Sequence, residues 1–341
     1  MKDSEFIEKC NEMLAVDAEN VEILLKRAKA FFISGEYSKA DDDCNTIIRI
    51  SSDCSDAYKI KGKIYRFHGH YEEAIACFSR YIELEKSNAK GYVQRAELYA
   101  IQGKYTKALL DYSFAVKCPN VEANTYMERG MLYTRVHRPY QAIFSFLDAI
   151  KNGCKDKMVY SGVAMAYFHM KQYKDAVAWM TKAIERKNKP FFYVNRGLAY
   201  YKMHEYQKAL DDFNVAIGDG STYSTGYFWR GRTYARLHED FKAIRDFSMV
   251  LKLKPNDHVA YYCRAQIYRQ LKENDLAIAD FSRVLELCPN DLKAYYERGK
   301  VLICERRYQE AVNDFHKVLE IHPNYSRAIK RIGYLQTLLS A

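Results

Sequence analysis

The stretch Tyr295–Phe315, YYERGKVLICERRYQEAVNDF, repeats the character of Tyr261–Phe281, YYCRAQIYRQLKENDLAIADF, 34 residues earlier. The shift continues toward the N-terminus. One alanine recurs at Ala40, Ala74, Ala108, Ala142, Ala176, Ala209, Ala243, Ala277 and Ala311, always 34 residues apart except for a step of 33 between Ala176 and Ala209. Self-similarity at a fixed period of this length marks a chain of stacked supersecondary units.

With that alanine set at slot 20, the other slots acquire a physical meaning. Slot 8 is small in all nine repeats: Ala28, Gly62, Ala96, Gly130, Ala164, Gly197, Gly231, Ala265 and Gly299. Slot 4 is Tyr in eight repeats, from Tyr58 to Tyr295, and slot 11 is aromatic in eight, from Phe31 to Tyr268. Slots 4, 8 and 11 form an i, i+4, i+7 stripe on one helix, and slots 20, 24 and 27 form a second stripe on another. Small residues at slots 8 and 20 let the two helices cross closely, and large ones at slots 4, 11 and 24 fill the space beside the crossing. Each pair leaves an apolar face that only the next pair can cover.

This pattern resembles the tetratricopeptide repeat, a 34-residue helix–turn–helix unit with a large residue, Gly/Ala, Tyr, then A-x3-F and Pro. The resemblance implies an all-α, right-handed superhelical solenoid. It spans residues 21–325 as nine repeats, with 1–20 as a lone N-terminal half-repeat helix and 326–341 as a capping helix. Residues 3–17 read as a second helix with Phe6, Cys10 and Met13 inward; the last helix reads with Ile329 and Gly333 inward. Departures are visible. Pro stands at slot 32 only in the last three repeats, and Tyr81 occupies a normally small slot 27, which predicts a local packing adjustment. The short step falls in the loop Arg186–Pro190 and predicts a change in superhelical angle there.

Composition narrows the function. Of 341 residues, 48% are hydrophobic and 28% charged, a globular balance, while Gly (15) and Pro (6) are too scarce for a turn-rich all-β chain. The start MKDSEFIEKC has neither secretory nor transit-peptide character. No apolar run reaches the ~18 residues of a membrane span. The nine cysteines show no C-x-x-C spacing, so reduced thiols and a cytoplasmic or nuclear location are expected. Cys10 and Cys44 fall at core slot 24, while Cys118, Cys154 and Cys288 fall in loops. Most of the 30 tyrosines sit at slots 4 and 11 or at the turn before the second helix (Tyr37, Tyr71, Tyr105, Tyr140, Tyr173, Tyr206, Tyr308), and read as packing residues.

Slot 7 is Arg in seven repeats, and in six of these slot 23 is Asp, which predicts an Arg–Asp pair between helices. Where slot 7 is Val163, slot 23 is Trp179. No phosphate loop, nucleophile elbow or zinc-protease motif occurs, and His68 and His70 read as turn residues. No enzyme, cofactor or metal is expected.

The resemblance implies that first helices line a concave face and that slots 2, 5, 9, 12 and 13 meet ligand. Those slots give an apolar centre with Met127, Met131, Met165, Phe168, Leu198 and Tyr201. Toward the C-terminus they give Phe228, Arg232, Arg236, Arg269 and Lys300, and near the N-terminus Lys29, Lys59, Lys63 and Arg66. The expected function is a protein–protein interaction scaffold or adaptor gripping an acidic or acidic–hydrophobic partner segment. The family's clamp for chaperone carboxylates is missing: its slots hold Leu25/Lys29, Ile60 and Lys90/Gln94, or Ser161/Met165, Asn195 and Thr225/Trp229. Two alternatives stay open. Residues 1–170 carry 24 Lys+Arg against 23 Asp+Glu, and residues 171–341 carry 29 against 20. The basic half suits RNA or another polyanion. The other alternative is a regulatory arm of an enzyme complex. The lone N-terminal helix offers a face for dimerisation.

Overall fold

The computed structural model describes residues 3–186, 188–218 and 222–340. Among them are twenty helices and no strand. The chain divides into two compact units, Met1–Met170 and Lys171–Ala341. The first holds α1 (Asp3–Val16), α2 (Val21–Ser34), α3 (Tyr37–Ile50), α4 (Ser55–Phe67), α5 (Tyr71–Leu84), α6 (Ala89–Ile101), α7 (Tyr105–Ala115), α8 (Ala123–Arg135), α9 (Pro139–Lys151) and α10 (Met158–His169). The second holds α11 (Tyr173–Arg186), α12 (Pro190–Lys202), α13 (Tyr206–Ile217), α14 (Ser224–Arg236), α15 (Asp240–Leu253), α16 (His258–Gln270), α17 (Asn274–Leu287), α18 (Leu292–Cys304), α19 (Tyr308–Ile321) and α20 (Ser326–Ser340).

Within each unit, helices pack on their chain neighbours in a stack: α2 on α3, α3 on α4, and so on to α9 on α10; then α11 on α12 through to α19 on α20. This is an all-α solenoid of helix–turn–helix pairs. The nine slot-20 alanines are all buried, none above 3% exposed. At slot 24, Phe78, Phe146, Phe213, Phe247, Phe281 and Phe315 are fully enclosed. The slot-8 glycines show why that position is small. A Cβ on Gly62, Gly130, Gly197 or Gly299 would stand 2.7–2.9 Å from the slot-24 Phe of its own repeat. The adjustment at Tyr81 is Gly91 at the start of α6, where a Cβ would come within 2.7 Å of the Tyr81 ring.

The turn between the paired helices is also uniform. Slot 15 is left-handed in each repeat: Gly35, Gly69 and Gly103, then His137, Lys171, His204, His238, Lys272 and Arg306 with φ of 56–62°. The last six are non-glycine residues in a conformation that disfavours a Cβ. Pro190 begins α12, and Pro139 likewise begins α9. Lys187, within the short loop, lies outside the described residues.

The Arg–Asp pairs form, and each has a third arm. Arg27, Arg95, Arg196, Arg230, Arg264 and Arg298 each donate Nε and Nη2 to the two carboxylate oxygens of Asp43, Asp111, Asp212, Asp246, Asp280 and Asp314 at 2.7–3.0 Å. The Nη1 of each reaches back to slot 25 of the preceding helix: Asn11, Ser79, Thr181, Asn214, Ser248 or Ser282, at 2.7–3.0 Å. One guanidinium therefore ties three consecutive helices. The six aspartates are no more than 6% exposed. Their bidentate hydrogen bonds push the Arg95, Arg196, Arg230, Arg264 and Arg298 guanidinium pKa values further up, while burial pushes the Asp212 and Asp246 carboxyls up as well.

Several local expectations change. In α20 the inward face is Ala328, Ile332 and Leu335, while Ile329 is 50% exposed and Gly333 is exposed too. Ile329 and Gly333 hold slots 4 and 8, which in a full repeat meet a following helix; no further helix follows α20 among the described residues. In α1, Cys10 and Leu14 are buried but Phe6 and Met13 are exposed. Tyr140 sits one slot later than the other turn tyrosines and is 64% exposed. Cys118 is buried although it lies in a loop, and burial pushes the Cys44 thiol up to about 12. No disulfide forms among the described cysteines.

Candidate functional site

The predicted binding residues all stand on first helices of the pairs. In the first unit, Met127 and Met131 lie one turn apart on α8, half-buried and 57% exposed respectively. Met165 and Phe168 on α10 are half-buried. In the second unit, Leu198 packs against the buried core of Val194, Tyr201 and Phe213. Tyr201 is itself only 7% exposed, so its ring belongs to that core. Its hydroxyl accepts a hydrogen bond from Arg236 Nε at 3.3 Å.

A connected aromatic–cationic cluster follows on α12 and α14. The Trp229 ring lies edge-on to Tyr201 at 5.8 Å and to Phe228 at 5.5 Å. The Arg232 guanidinium sits 4.9 Å from the Trp229 ring centroid and 6.0 Å from that of Phe228, which is cation–π distance. Phe228 also packs on the slot-24 Phe247 at 5.9 Å. Among the described residues, no carboxylate lies within ion-pairing distance of Arg232 or Arg236. This contrasts with the slot-7 arginines, which are bound to aspartates.

Arg269 and Lys300 form a second group. Both approach Glu297, Arg269 Nε at 3.6 Å and Lys300 Nζ at 2.9 Å. They join Lys272 and Arg331 around a cavity of about 500 Å³ that also exposes Cys304. The second unit thus carries two candidate surfaces: one aromatic with two cations that have no carboxylate partner, one predominantly cationic.

Trp229 and Glu297 were missed as site residues by the sequence reading. Both occupy slot 6, which lies on the same helical stripe as slots 2, 9 and 13. Adding slot 6 to the ligand-facing set would have found both.

Among the described residues, no group of three or more His, Cys, Asp or Glu side chains is placed to hold a metal ion. The His68 and His70 rings are 6.3 Å apart in the α4–α5 turn. No described helix is long and apolar enough to cross a membrane.

The geometry defines a class first: a helical-repeat protein whose invariant slots build a spine and whose variable first-helix slots carry recognition chemistry. Models of the tetratricopeptide repeat match residues 61–119, 159–190, 258–291 and 292–325. These matched stretches are tetratricopeptide repeats, and the chain has the fold of a solenoid built from such repeats. Similar solved structures agree in fold. The C-terminal part of a repeat-containing protein from Cytophaga hutchinsonii is 18% identical, with TM-score 0.59 over 70% of this chain and 99% of its own. A chain of the Cut9–Hcn1 assembly of the APC/C is 18% identical, with TM-score 0.53 over 92% of this chain and 63% of its own. A repeat protein from Parabacteroides merdae is 20% identical, with TM-score 0.50 over 72% of this chain and 98% of its own. No curated protein matches the chain with significance. Repeats of this family serve in general as protein–protein interaction scaffolds and are typically non-enzymatic.

Proposed function

We propose that this chain is a non-enzymatic adaptor that holds an acidic–hydrophobic partner segment against its first helices. The second unit's α12–α14 surface, with Phe228, Arg232 and Arg236, is the principal grip. The observation that carries this reading is the unpaired state of Arg232 and Arg236 beside the exposed parts of Trp229 and Phe228. A cation held over an aromatic face without a carboxylate offers an acidic side chain its partner and an apolar neighbour its packing surface. Arg269, Lys300 and the cavity beside them extend the cationic ground. In the first unit, Met127, Met131, Met165 and Phe168 supply the adaptable apolar contact.

The test uses a partner captured with the wild-type chain and then purified. Arg232→Glu and Phe168→Ala should each weaken its binding by about tenfold or more, the loss expected for a true anchor. Unchanged affinity for both variants would remove this assignment. Equal binding of heparin and of the partner, with a steep loss on adding salt, would instead favour the polyanion reading.

A further inference from the structure

Away from these residues, in the first unit, α4, α6 and α8 line a cavity of about 380 Å³. Its walls carry Lys59, Lys63, Lys90, Glu97, Glu122 and Glu128. The charges are sorted rather than mixed. Lys63 stands near Lys59, Lys90 and Arg66, and its ammonium pKa is lowered by lost hydration and by those neighbours. Among the described residues, no carboxylate comes within ion-pairing distance of Lys63. The acid that acts on it, Asp56, is already shared by Lys29 and Lys59.

The opposite wall has the reverse imbalance. Glu128 is raised to about 7 by burial and by Glu97 and Glu122, and the Tyr112 hydroxyl lies beside it. One oxygen of Glu128, Oε2, is buried without a hydrogen-bond partner. An unsatisfied buried polar atom calls for an explanation. Arg66 joins the two walls by a direct ion pair with Glu97, and Lys90 approaches Glu122 only at 3.7 Å. The lining also holds the side-chain amides of Gln94 and Asn124; their oxygens accept from Arg66 and Cys154, which leaves their N–H groups as donors for a peptide backbone.

A cavity arranged this way holds two sets of like charges close together, which costs free energy in each. A single ligand with a negative and a positive pole would relieve both. We propose that this cavity recognises a bipolar segment of a partner protein, with a carboxylate against Lys59, Lys63 and Lys90 and a neighbouring ammonium or guanidinium against Glu97, Glu122 and Glu128. A uniformly acidic segment satisfies one wall and is repelled by the other, so the glutamate wall sets specificity as much as the lysine wall sets affinity. This site shares no residue with the grip on α12 and α14, so each can fail without the other.

Fluorescence anisotropy on the full chain tests it, using three labelled peptides of equal length: alternating Glu-Lys, all-Glu and all-Lys. The alternating peptide should bind about tenfold more tightly than either uniform one. Lys63→Ala and Glu128→Gln should each reduce that binding severalfold, while Arg232→Glu leaves it unchanged. Lys63 is exposed, so its variant keeps the fold even if the Glu128 variant does not. Equal or tighter binding of the all-Glu peptide would overturn the proposal. So would indifference to Lys63→Ala, the absence of alternating-peptide binding, or equal binding by the free Glu-Lys dipeptide.

Discussion

In repeats six to nine, Arg196, Arg230, Arg264 and Arg298 each close the same three-armed clamp, whereas repeats two, four and five each build something else at that place. In repeat two, slot 23 is Cys77, and Lys61 turns wholly to the preceding helix, meeting Asp41 and Asn45 at 2.7 Å. In repeat four, slot 23 is Ser145, and Arg129 divides between its hydroxyl at 3.0 Å and Asp148 at 3.2 Å. In repeat five all three arms are replaced at once: Leu147 before it, then Val163, then Trp179. The division between the compact units falls within that repeat. The difference teaches that the buried Asp never stands without its Arg, because it would be a buried charge without a partner, whereas the slot-25 arm persists at Asn45 and Ser113 where the Asp is gone. It also shows where variation is tolerated. Two of the three departing repeats supply α4 and α8, walls of the cavity with sorted charges.

The largest expected effect separates the two kinds of repeat. Arg264→Ala leaves Asp280 buried and unpaired and should cost about 3–5 kcal/mol in chemical denaturation. Lys61→Ala should cost roughly 1–2 kcal/mol, because its partner Asp41 is partly open to water. Equal losses would break the distinction. Next come the helix crossings. Gly130→Ala, with its Cβ 2.7 Å from Phe146, should cost about 1–3 kcal/mol, while Gly333→Ala, with open space around it, should be neutral or stabilise α20 slightly. The smallest effect sits in the turns. His238→Gly should raise stability by about 1 kcal/mol and Gly103→Ala should lower it by a similar amount, since both hold left-handed backbone. Thermal melts of the two variants side by side would show opposite signs.

The spine was legible in the sequence because one packing problem recurs, and each repetition repeats the evidence. Small residues at slots 8 and 20 and the Arg–Asp pairing could be read from spacing alone. The third arm was not read, although Asn, Ser or Thr at slot 25 recurs before most of the arginines. Its signal crosses from one repeat to the next, and reading repeats singly hides it. The inward face of α20 was misread for a related reason: α20 keeps the residue pattern of a full repeat, and no helix that the pattern addresses follows it among the described residues. The recognition surfaces were half legible. The ligand-facing slots all fall on first helices, but they placed Tyr201 at the surface when its ring is core, and passed over Trp229. Which variable side chains meet each other depends on contacts between neighbouring first helices, and periodicity within one repeat does not specify those.

A double-mutant cycle at Arg264 and Asp280, followed by denaturant unfolding, addresses the clamp most directly. Replacing both by apolar residues, Arg264→Met with Asp280→Leu, should recover much of what Asp280→Leu or Arg264→Met loses alone, with a coupling of about 2 kcal/mol or more. Losses that simply add, within about 0.5 kcal/mol, would mean that the two residues act independently and that no clamp holds the helices together.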